Sequence, residues 1–159
     1  MNRELFALDK MRNQATVAEI EERGAALLDQ FPEPEAAARI NHQLAHVFAQ
    51  RNIRDHAVLV AKYAQRSLEI DRHPDRRALA MGYLASAASL DPTVTSADER
   101  RRNATRIWLK NYWEMLAFKL PKNAPDLPGV GGNRPDLGAD AAEIDRLKRR
   151  EVVQLRARR

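Results

Sequence analysis

His42 and His46 stand four residues apart, which puts both imidazoles on one face of a helix at a spacing metals can use. Gln43-Leu44-Ala45 lie between them, so the glutamate that a zinc protease needs as general base is missing, and no third ligand accompanies the pair. Polar positions on the solvated side of a helix account for both histidines. His56 and His73 fall at turns, where they suit capping or exposure. The four serines occupy helical or capping positions without a nucleophile motif, and the scattered carboxylates form no acid and base pair. With no cysteine, the chain has no disulfide, thiolate nucleophile or cysteine metal site. The expectation is a protein that is not an enzyme, with no catalytic residue, cofactor or metal.

The elements that would position these side chains are helical. From Glu35 to Asp71 the pattern is two amphipathic helices joined by a short polar turn. Ile40, Leu44, Val47 and Phe48 form the stripe of the first, a helical period that excludes strands. From Asp55 to Ile70 one stripe runs Ala57, Val60, Ala61, Ala64, Ser67 and Leu68, and a second adds Leu59, Tyr63 and Ile70. A helix with two apolar faces touches two neighbours. Asp55 is placed to cap it by accepting from unpaired amides.

Within this hairpin, Leu44-Ala45-x-x-Phe48 resembles the first-helix signature of tetratricopeptide repeats, and Tyr63-Ala64-x-x-Ser67-Leu68-Glu69-Ile70-Asp71 resembles the close of their second helix. The turn is longer by about three residues than the family's repeat of roughly 34 residues accommodates, and Arg72 stands where a proline is expected. The resemblance implies a divergent, short antiparallel array of about two to three hairpins, all-α, that acts as a protein-protein interaction scaffold or adaptor. It also implies a groove that holds a peptide or helix of a partner, lined by Asn41, His42, Ala45, Arg77, Met81 and Ser89. So short an array further suggests self-association into a homo-oligomer.

On either side of that hairpin the helical pattern continues. Residues 1–31 read as helix, with one stripe of Leu5, Leu8 and Met11 and another of Val17, Ile20, Gly24, Leu27, Leu28 and Phe31, Gly24 marking close packing. Pro32 cannot continue a helix, whereas Pro34 suits a first helical turn. His73-Pro74 punctuates again before a helix over Asp75 to Leu90, with Ala78, Met81, Leu84, Ala85 and Ala88 inward. Its Leu84-Ala85-x-x-Ala88 repeats the earlier pattern at an offset of 40 residues. Ser96-Ala97-Asp98-Glu99 is a capping box that opens a helix to Leu120, which holds both tryptophans, Trp108 and Trp113. Arg100, Arg101 and Arg102 precede these aromatics as a solvated first turn.

One domain is therefore expected over residues 1–120, followed by a linker over 121–139 and a helix over 140–159. The linker carries four prolines and four glycines between Pro121 and Gly138. Its Pro128-Gly129-Val130-Gly131-Gly132 has the glycine density of a phosphate loop, but no Gly-Lys-Ser/Thr follows and no strand precedes. Beyond it, Ile144, Leu147, Val152 and Leu155 oppose a basic side. From Arg146 onward there are seven Lys or Arg against one acid, a balance of +6, which leaves −1 for residues 1–145 of the total +5. This makes a nucleic-acid-associated protein the alternative, with Arg146, Lys148, Arg149, Arg150 and Arg156 as an electrostatic arm on phosphates. No apolar run is long enough to cross a bilayer, and no signal-peptide core is visible, so a cytoplasmic location is expected.

Overall fold

A computed structural model describes residues 1–119, with the side chains of Trp113 and of residues 116–119 excepted. The expectations for residues 120–159, including the linker and the five basic contacts from Arg146 to Arg156, lie outside the described residues. What is described is all-helical, without a strand. Six helices follow in order: α1 (Asn2–Lys10), α2 (Val17–Gln30), α3 (Pro34–Asn52), α4 (Ala57–Ile70), α5 (Pro74–Ser89) and α6 (Ala97–Lys119). None of them is long and apolar enough to cross a membrane.

Local chemistry sets most of the boundaries. Pro34 and Pro74 both stand in first turns, where the missing amide leaves no bond unmade. Ser96 Oγ accepts from the Glu99 amide at 3.2 Å and opens α6. Two expectations need correction. The first 31 residues are not a single helical stretch, because a 3-10 turn at Met11–Asn13 ends the first helix and Thr16 starts the next. Thr16 Oγ1 accepts from the Glu19 amide at 3.2 Å while Glu19 accepts the Thr16 amide at 2.6 Å, a reciprocal capping box. Nor does Asp55 cap α4. His56 precedes that helix without a side-chain cap, and the Asp55 carboxylate takes the Asn52 side-chain amide at 2.5 Å.

Side-chain pairs fix how the helices run. Arg77 meets Glu114 and Asn111 donates to the Ala78 carbonyl, so α5 and α6 are antiparallel. The odd-numbered helices are parallel to one another. Asn2 and Asp9 on α1 meet Arg39 and Gln43 on α3, and Glu35 and His46 on α3 meet Arg76 and Tyr83 on α5. Each helix from α2 onward packs on its predecessor, and α1 and α5 flank α3.

The core lies between α3 and the helices behind it. Ile20, Leu27, Ile40, Leu44, Val47, Phe48 and Val60 are fully buried together with Leu8. Phe48 stacks on Tyr63 with ring centroids 5.9 Å apart and planes 12° apart. Gly24 lets α2 approach α3: a Cβ there would stand 2.8 Å from Leu44 Cδ1, so the close packing expected at this glycine is real.

Candidate functional site

The outward side of α3 is a polar seam. Its buried residues, from Ala36 to Phe48, turn toward α2 and α4, which leaves Arg39, His42, Gln43 and His46 half-buried between α1 and α5. Three tethers reach it from α1: Asn2 accepts from Arg39 at 2.5 Å, Asp9 accepts from Gln43 at 3.4 Å, and the same carboxylate lies 3.6 Å from His46 Nε2. From α5, the Tyr83 hydroxyl is 2.6 Å from His46 Nδ1. The His46 ring thus bridges three helices, and both its nitrogens face partners.

The sequence-based account of the histidines as a solvated pair fails on this geometry. Both rings pack against Tyr83, with centroids 5.9 Å away for His42 and 6.0 Å for His46. His42 Nδ1 is sealed from solvent without a hydrogen-bond partner. Burial is the main reason its pKa is held below the usual imidazole range; the neighbouring His46 adds to this, Asp71 opposes it and Arg76 reinforces it. Burial likewise pushes the Tyr83 phenol up. Among the described residues no group of three or more His, Cys, Asp or Glu is arranged to hold a metal ion.

At one end of the seam a buried carboxylate gathers the turn between α4 and α5. Asp71 is 2% exposed, accepts from Arg76 at 2.7 and 3.0 Å, and accepts the His73 amide at 2.8 Å. Burial alone would raise its pKa. The Arg76 and His73 hydrogen bonds and the charges of Arg76 and His42 outweigh that and hold the carboxyl below its ordinary value. Arg77 closes the end of α4 by donating to the Leu68 and Asp71 carbonyls at 2.7 and 2.9 Å.

The six residues assigned to a groove by resemblance fall in different places. Asn41, Ala45 and Met81 are buried at 3, 0 and 3% exposure, inside the packing rather than on a concave surface. Asn41 donates to the Ala37 carbonyl one turn back at 2.8 Å. Arg77 is committed to the α4 end and to Glu114. Ser89 bonds the Ser86 carbonyl at 2.7 Å within α5. His42 alone of the six lies in the seam. Asp9, Asp71, Arg76 and Tyr83 escaped sequence reasoning, although Asp71-x-His73 carries the short polar spacing by which an aspartate accepts an amide two residues on.

No protein-family model, curated protein or solved structure matches this chain.

Proposed function

We propose that the chain is a non-catalytic interaction scaffold of tetratricopeptide-like hairpins that holds a peptide or helix of a partner protein. The observation that supports this reading most directly is the parallel row of α1, α3 and α5, which presents Arg39, His42, Gln43 and His46 along one side of the molecule. Helical arrays of this kind bind through such rows, because each helix offers a few outward side chains at one-turn intervals. The lining moves from the buried Asn41, Ala45 and Met81 to Arg39, Gln43 and His46, with Asp9 and Tyr83 as walls. An enzyme is not proposed, since the imidazole most open to chemistry already faces a phenol and a carboxylate.

Site-specific photocrosslinking in native lysate tests the reading. A photoreactive side chain at Gln43 is expected to capture one discrete protein, and the same group at Val58, exposed on α4 away from the row, is expected to capture none. Equal capture from both positions, or none from either, overturns the proposal.

A further inference from the structure

Helix α6 carries a run of positive charge that the interaction groove does not use. From Arg100 to Lys110 there are five Lys or Arg and no acid. Two of the five are occupied: Arg100 donates to the Val94 and Thr95 carbonyls, and Arg101 pairs with Asp98. The other three, Arg102, Arg106 and Lys110, are exposed and spaced one turn apart along one face. Among the described residues none of the three has an ion-pair partner.

This placement works against the helix. Like charges four residues apart repel each other, and the acids of the first turn, Asp98 and Glu99, suit the positive end of the helix dipole without pairing with any of the three. The two acids that bracket them at the same spacing, Asp98 and Glu114, are engaged by Arg101 and Arg77 instead. Local rules broken without a compensating internal contact point to an external counter-charge.

We infer that the Arg102, Arg106 and Lys110 face of α6 binds the phosphate backbone of a nucleic acid. Successive cations lie about 6 Å apart along the axis, close to two nucleotide steps of about 3.4 Å each, so a straight helix can track a strand over about 12 Å. A lipid surface fits less well. Interfacial helices bury large apolar side chains beside the basic ones. Among the described side chains of α6, the exposed large apolar residue, Met115, is nine residues from Arg106 and so half a turn away around the helix. The surface is separate from the α3 seam and from the expected basic arm after Arg146, and the inference stands whether or not the seam binds a peptide.

The test is a salt titration of binding between the full chain and a fluorescent single-stranded oligonucleotide, run for wild type and for the triple variant Arg102→Gln, Arg106→Gln, Lys110→Gln. Three lost phosphate contacts should reduce the slope of log affinity against log salt by about 2. The three side chains are exposed, so circular dichroism and the melting temperature should show an intact fold. A second variant, with Arg146, Lys148, Arg149, Arg150 and Arg156 changed to Gln, keeps the α6 contribution separable from the rest of the chain. An unchanged slope in the α6 variant, the absence of salt-dependent binding in the wild type, or binding to anionic vesicles or an acidic peptide in preference to the oligonucleotide would each overturn the inference.

Discussion

The packing of α3 on α2 and α4 differs in kind from the packing of α5 on α6. Behind α3, the interior is made of large side chains: Leu27, Ile40, Leu44, Val47, Phe48, Val60 and Tyr63. On α5 and α6, the buried residues among the described side chains include Ala80, Met81, Ala85 and Ala104, with Thr105, Leu109 and Asn111. Sealed polar atoms without partners occur in both regions, Asn41 Oδ1 and Ser67 Oγ on α3 and α4, Trp108 Nε1 and Asn111 Oδ1 on α6. The first region is held by apolar volume removed from water, the second by close approach of small residues and by polar ties such as Arg77 to Glu114. Buried volume is the stronger of the two, and the unpaired buried polar atoms do not offset the difference, since both regions carry them. The α5–α6 hairpin should therefore open before the rest.

Removing volume from the first region should have the largest effect. Phe48→Ala deletes a ring that stacks on Tyr63 and lies 5.7 Å from His56, and should cost about 3–5 kcal/mol. For a chain of this size that is a large share of total stability. Urea denaturation reports it as a lower midpoint at unchanged slope. A loss under about 1 kcal/mol would mean that the α3 interior collapses around the gap, and the contrast between the two regions would fall.

The two helical glycines in the described part of the chain sharpen the contrast by sign. At Gly24 a new methyl would meet Leu44 Cδ1 and Cδ2 at 2.8 and 2.9 Å, and Leu44 is 1% exposed, with nowhere to move. Overpacking costs of about 1–3 kcal/mol exceed the roughly 1 kcal/mol of helix propensity gained, so Gly24→Ala should destabilise by about 1 kcal/mol. At Gly82 the nearest atom is Trp108 Cη2 at 3.7 Å, an ordinary contact. Gly82→Ala should then stabilise by about 0.5–1 kcal/mol through propensity and a less flexible unfolded chain. If both substitutions move stability in the same direction, the difference in packing density between the two regions is not what separates them.

How much of this was visible in the sequence follows the range of the forces involved. The paired helices α3 and α4 were legible because a period of apolar residues in both, a proline at the start of α3 and a polar turn between them are all local signals. Thr16-Val17-Ala18-Glu19 is as local as Ser96-Ala97-Asp98-Glu99 and has the same form, but continuous apolar stripes on both sides hid the break at residues 14–16. Asp55 missed its role by one position, since the helix begins after His56 and the carboxylate finds Asn52 first. The seam was not legible at all. Whether His42 and His46 face water depends on where Asp9, 37 residues before His46, and Tyr83, 37 residues after it, are brought by the fold. Asn41, Ala45 and Met81 show the converse: positions that a family pattern would place in a groove are consumed here by the contacts that close the short array.

The smallest effect concerns pH, and it acts on the seam that joins the two regions. His42 lies on the side of α3 that faces Tyr83, Arg76 and Asp71, with His46 one turn on and Asp9 beyond it. Its pKa in the fold is below 6.5, chiefly because burial disfavours the imidazolium. The unfolded chain is then the greater proton binder, so the contribution of His42 to stability is complete above 6.5 and is lost as pH falls below that value. Asp71 acts in the same direction but in a lower window, since its carboxyl, held below 3.8, loses its stabilising charge only in stronger acid. Between pH 7.5 and 5 the two are therefore separable. Hydrogen exchange in that range should show α5 amides losing protection before those of α3 and α4 as acid is added. His42→Gln, which keeps a polar side chain that does not titrate, should flatten this dependence while His46, His56 and His73 remain in place. Parallel profiles for the two proteins would assign the acid sensitivity elsewhere, and acceleration confined to α3 and α4 would reverse the order of opening that the two kinds of packing imply.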